Sequence, residues 1–170
     1  GKLTLNYEAK IFGDAPGAKE MAEVLSLSPE VIPSAAFGDV GIPFCLVRLN
    51  DRHAVDSARL DRHAWEKILA PSAGPQVFVY SGEITNNGEL YARMFAPAFG
   101  IEEDPATGSA CAALVGIAAA QSGIDDGDFH LSIAQGVSMG RTSVIEASAV
   151  IRSQREIGKR GRADDANRHR

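Results

Sequence analysis

From Thr107 to Gln121 the chain reads Thr-Gly-Ser-Ala-Cys-Ala-Ala-Leu-Val-Gly-Ile-Ala-Ala-Ala-Gln, without a charged side chain and with apolar residues on every helical face. A helix of this kind has no face to offer water, so protein must surround it. The remainder of the chain therefore has to enclose one helix, and Gly123 supplies that helix's stop.

The start of the helix is chemically as informative as its body. First-turn N–H groups have no intrahelical acceptor, and the aligned peptide dipoles favour negative charge there by ~0.3–1 kcal/mol per exposed interaction. Ala106, Gly108, Ser109 and Ala110 are small enough to leave those amides uncovered. An anion, most simply a substrate carboxylate, can dock on them. Asp104 stands just upstream and has two readings: an N-cap acid that satisfies helix amides, or a carboxylate held beside a bound anion and suited to proton transfer. Glu102 and Glu103 are read as solvated loop residues.

Elsewhere the patterning is that of strands with a few short helices. Leu3, Leu5, Tyr7, Ala9 and Ile11 alternate with polar residues, which predicts a half-buried strand. Ala18 to Leu27 has helical spacing and ends at Ser28-Pro29. Ile42 to Leu49 predicts a strand, and Asp61 to Leu69 a helix with Trp65 turned inward. Gln76 to Tyr80 and Leu90 to Phe95 flank Asn86-Asn87-Gly88, the pattern of a hairpin. Phe129 to Ala134 and Thr142 to Val150 predict two more strands. Arg93 lies within the second hairpin strand, with its side chain expected to point away from the core.

Composition sets limits on partners. A chain of 170 residues that is 45% hydrophobic has material for one domain's core. The net charge of -5 argues against a nucleic-acid or anionic-membrane surface. No apolar run reaches membrane-spanning length and no secretory signal opens the chain, and Gly1 in the place of Met reads as a processed or truncated start. Cys45 and Cys111 sit in apolar surroundings without metal or redox spacing, so a cytoplasmic location is expected, with Cys111 a buried small hydrophobe. The four histidines lack metal-ligand spacing, and no metal is expected.

Two motifs bear a resemblance. Arg93-Met94-Phe95-Ala96-Pro97 followed by Gly100-Ile101-Glu102-Glu103-Asp104-Pro105-Ala106-Thr107-Gly108-Ser109-Ala110, and downstream Gln135-Gly136-Val137-Ser138-Met139-Gly140-Arg141, are similar to the signatures of PhzF-like phenazine-biosynthesis proteins, members of the diaminopimelate epimerase-like superfamily. Gly41-Ile42-Pro43-Phe44 is a weaker match. The likeness covers roughly Leu3 to Val150 and corresponds to the family's C-terminal half. It implies an α+β fold: a curved, mostly antiparallel sheet or barrel wrapped around a central apolar helix. Residues 1–150 would form this single domain, and 151–170 a basic, disordered tail.

The same resemblance implies a function. Family members hold a small carboxylate substrate in the cleft between two similar halves and move a proton at carbon without metal or organic cofactor. The principal catalytic Glu belongs to the N-terminal half. To this chain fall Asp104 as an active-site carboxylate and Thr107, Gly108 and Ser109 as substrate binders. The expected partner is a second copy or a separate N-terminal half. The alternative is an inactive remnant that dimerises or binds a small acid.

The terminal segment departs from the family. Arg152 to Arg170 holds seven Lys/Arg against three Asp/Glu, so it carries +4 and the remainder -9. With periodicity lost after Val150, the segment is expected to be either a solvated extension or the product of a shifted reading frame.

Overall fold

The computed structural model describes residues 8–152. The chain runs β1 (Lys10–Ile11), α1 (Ala18–Leu25), β2 (Ser34–Asp39), β3 (Pro43–Arg48), α2 (Arg52–Ser57), α3 (Arg62–Ile68), β4 (Gln76–Gly82), β5 (Gly88–Ala96), β6 (Ile101–Asp104), α4 (Gly108–Gln121), β7 (Gly127–Gln135) and β8 (Ser143–Ile151). The eight strands of the described residues form one sheet in the order β1-β2-β3-β4-β5-β7-β8, with β6 attached to β5. Pairing is antiparallel except between β3 and β4 and between β5 and β7. Each parallel pair spans a crossover, the first made by α2 and α3 and the second by β6 and α4, as parallel strands require.

The sheet curls around α4, which touches β7 and β8 at one end of the strand order and β1, β2 and β3 at the other. Strand alternation divides the apolar side chains between two cores. Phe78 and Tyr80 of β4, Leu90, Ala92 and Met94 of β5, and Phe129, Leu131 and Ile133 of β7 face α4. Val77 and Val79 of β4, with Tyr91 and Phe95 of β5, face outward onto α1, α2 and α3. The alanines of α4 keep the helix slender. Gly38 in β2 permits closure, because a Cβ there would stand 2.7 Å from the Ile117 side chain.

The architecture is the α+β fold expected, a curled half-barrel around the apolar helix. The Ala18, Asp61 and Gln76–Leu90 regions form the elements anticipated for them, and Trp65 is buried with its indole Nε1 donating to the Pro75 carbonyl at 2.8 Å. Asp51 and Asp61 cap α2 and α3, their carboxylates accepting from Ala54 N and Ala64 N at 2.8 and 2.9 Å. Three elements had no sequence expectation: β2, α2 and β6. Of the strand expected from Leu3 to Ile11, Lys10 and Ile11 form β1 at the sheet edge, where Ile11 is exposed rather than half-buried, and the described residues Glu8 and Ala9 are not strand. Residues 3–7 lie outside the described residues, as does the basic tail beyond Arg152. No helix among the described residues is long and apolar enough to cross a membrane.

Candidate active site

One edge of β5 brings the two sequence motifs together. Gly88 to Ala92 pair with β7, ending at Ala92 opposite Gln135. The same edge is then taken over by β6, beginning at Met94 opposite Asp104. Gln135 and Asp104, far apart in sequence, thus occupy neighbouring positions beside a common strand. Gly136 lets them close on each other. A Cβ at this residue would stand 2.8 Å from the Pro105 carbonyl oxygen and 2.4 Å from that of Arg141, and its φ of +76° lies in the left-handed region.

A hydrogen-bonded cluster fills the junction. Gln135, with no exposed surface, accepts from the Thr107 backbone N–H at 3.1 Å. Its Nε2 donates to the Asp104 backbone carbonyl at 2.8 Å and to Thr107 Oγ1 at 3.0 Å. The Thr107 hydroxyl donates to Asp104 Oδ2 at 2.8 Å. Among the described residues, Asp104 Oδ1 receives only a long contact of 3.4 Å from the Ala106 N–H. Asp104 is therefore not the N-cap of α4. Thr107 occupies that position, and its own side chain makes no capping hydrogen bond.

Of the residues singled out in the sequence, Thr107 is buried and its hydroxyl is engaged with Asp104 and Gln135. Asp104, Gly108 and Ser109 are half-buried at the helix start, and Ala106 is exposed. Gln135 had no expected role. The signal available was its phase, since it continues the inward series Phe129, Leu131, Ile133 and so had to be a polar residue with buried partners.

Two expectations are corrected. Glu103 is a strand residue rather than a solvated loop acid. It is paired with Arg93, whose Nε and Nη2 donate to its two carboxylate oxygens at 2.8 and 3.2 Å. Arg93 does point away from α4, but it is buried rather than free. Its Nη1 donates to the carbonyls of Val55, Asp56 and Ala58 at 2.9, 3.2 and 2.8 Å, and its guanidinium lies 4.9 Å from the Phe95 ring centroid. Successive residues of β6 point to opposite faces, so Glu103 is anchored behind the sheet while Asp104 faces the helix start.

Cys111 is fully buried, and burial pushes its thiol up to about 12, so it holds its proton and serves packing rather than acid–base chemistry. Arg141 is exposed. His130 is tied across β7 and β8, with Nε2 2.6 Å from Glu146 Oε2 and Nδ1 3.1 Å from Ser148 Oγ.

Comparison with known proteins identifies the family and the fold. Residues 12–163 match the family of phenazine biosynthesis-like proteins. The chain belongs to that family. It is 36% identical over 121 residues to an uncharacterized isomerase of Mesorhizobium japonicum, a match covering 68% of this chain and 40% of that protein. Its fold is shared with the Bacillus anthracis phenazine biosynthesis protein of the PhzF family, at a TM-score of 0.68 and 14% identity, covering 86% of this chain and 57% of the other. A predicted epimerase of Pseudomonas aeruginosa aligns at 0.56 and 24% identity, covering 82% and 48%. A PhzF-family protein of Enterococcus faecalis aligns at 0.54 and 20%, covering 83% and 51%. This PhzF-like chain thus spans about half the length of the relatives it matches.

Proposed function

We propose that this chain supplies one wall of an isomerase or epimerase site that moves a proton at carbon on a small carboxylate substrate. The observation that carries the reading is the pairing of a half-buried carboxylate with an uncapped helix start. Among the described residues Asp104 has one oxygen without a short hydrogen bond, and the first-turn amides of α4 lie beside it. The substrate carboxylate docks on the Gly108–Ser109 amides, where the dipole and the N–H groups neutralise it. Asp104 then stands near the reacting carbon, and the opposing acid/base is a Glu from a family N-terminal half. The chain's own contribution is orientation and charge: a fixed anion site and a fixed carboxylate need no reorganisation when charge develops in the transition state. Nothing in this chemistry calls for a cofactor, because an acid and a base of suitable pKa suffice.

The test is solvent-deuterium incorporation at the α-carbon of cyclic and amino-acid carboxylates, using this chain alone and mixed with a separately expressed family N-terminal half. The expected result is exchange in the mixture, reduced about 100-fold or more by Asp104→Asn. Turnover by the chain alone that survives Asp104→Asn overturns the proposal. Tight carboxylate binding without exchange in the mixture favours a binding protein instead.

A further inference from the structure

Three hydrogen bonds leave the Gln135 side chain one orientation. The Thr107 backbone N–H can only donate and the Asp104 backbone carbonyl can only accept. Gln135 Oε1 must therefore face the former, at 3.1 Å, and Nε2 the latter, at 2.8 Å. Turned over, the amide would oppose donor to donor and acceptor to acceptor, in a place with no exposed surface on Gln135 from which water could compensate. The second Nε2 hydrogen then points at Thr107 Oγ1, 3.0 Å away. A hydroxyl that accepts from Gln135 has its own single proton to give, and Asp104 Oδ2 lies 2.8 Å from it. The polarity of the chain of bonds is thus dictated from its buried end.

We infer that Gln135 is a positioning residue for Asp104: through the Thr107 hydroxyl it commits Oδ2 as an acceptor and leaves Oδ1 as the oxygen that works on the substrate. The inference rests on the proton-transfer reading of this site. When Asp104 takes up a proton, that proton binds Oδ1. When it gives one back, the O–H bond at Oδ1 breaks and Oδ2 keeps its bond from Thr107 throughout. The hydroxyl holds the carboxylate at Oδ2, while Gln135 holds the backbone of the same residue through its carbonyl. Gly136 completes the device, since any larger residue would separate Gln135 from the Asp104-Pro105 turn.

The test compares Thr107→Ser, Thr107→Val and Gln135→Glu with the parent chain by two readouts. The first is NMR of the isolated chain, following the Thr107 hydroxyl proton and the Gln135 side-chain amide protons. The hydroxyl proton should be detected on the Asp104 side, and both amide protons should exchange at least about tenfold more slowly than those of an exposed glutamine. In Thr107→Val one amide proton should lose its protection, and in Gln135→Glu the hydroxyl should turn to the new carboxylate. The second readout is deuterium incorporation in the two-half mixture. Thr107→Val and Gln135→Glu should lower kcat about tenfold or more with KM within about twofold, while Thr107→Ser, which keeps the hydroxyl, should retain most of kcat. A hydroxyl that donates away from Asp104 in the parent chain overturns the inference, and so does parental kcat in Thr107→Val. Absence of exchange in the parent mixture counts against the functional reading, and the hydroxyl's direction in the same chain still decides the inference.

Discussion

A glutamine with no exposed surface is costly unless its polar atoms are answered, and each polar atom of Gln135 meets a partner on the Asp104–Thr107 turn. The two buried thiols illustrate the same rule with the opposite solution. Cys45 and Cys111 have no charge to satisfy as long as they remain protonated, and burial pushes both up to about 12 from a usual value of 9.0. The unfolded thiols ionise near the usual value, so the stability linked to them is fully present below about pH 9 and is lost as pH rises toward 12. Urea unfolding followed from pH 7 upward should show stability falling across that window. A Cys45→Ala/Cys111→Ala chain should show a shallower alkaline decline, and an unchanged slope would show that the thiols are not its source. The placement of Asp104 and Ser109 at the start of the enclosed helix was legible from the motif alone. The engagement of Thr107 was not, because it depends on a residue that sequence order places far downstream.

At the scale of elements, α2 shows how a helix too short to persist alone is held. Asp51 caps its start, and Arg93 from β5 gathers the carbonyls at its end while pairing with Glu103 of β6. One side chain therefore joins a helix and two strands directly behind Asp104. Arg93→Lys keeps the charge but lacks the fork needed to serve the carbonyls and the carboxylate together, and should cost about 3 kcal/mol by urea denaturation. A cost below about 0.5 kcal/mol would mean that α2 is secured by packing alone. The same observation explains which elements escaped sequence reading. Ser34-Ala-Ala-Phe-Gly-Asp39 lacks the β-branched alternation of a strand and becomes β2 by pairing with β3. Ile101-Glu-Glu-Asp104 looks like an acidic loop and becomes β6 because β5 offers it an edge and Arg93 neutralises Glu103.

For the whole molecule, the two cores share strands rather than sitting in separate units. Phe78 contributes to the core around α4, and its neighbour Val79 to the core containing Trp65. Neither core can dissolve without the backbone that carries the other, so unfolding should be one transition. Phe78→Ala should destabilise by about 3–5 kcal/mol. It should move the midpoint reported by Trp65 fluorescence in the outer core as far as the midpoint reported by far-UV circular dichroism. Separate midpoints would show that the cores unfold independently.

The enclosed helix, the longer strands β3, β4, β5, β7 and β8, and the residues around Asp104 were legible in the amino-acid order, because periodicity, helix-end chemistry and local motifs act over a few neighbouring residues. The partners of those residues were not. Gln135 reaches Asp104 only because β6 and β7 share one edge of β5, and Arg93 is buried only because α2 folds across it. Such contacts follow from strand order and sheet curvature, which are settled by how the two apolar cores close around α4 and beneath α1 to α3. Local chemistry thus named the acid and the helix start, while long-range packing chose which buried groups would hold them in place.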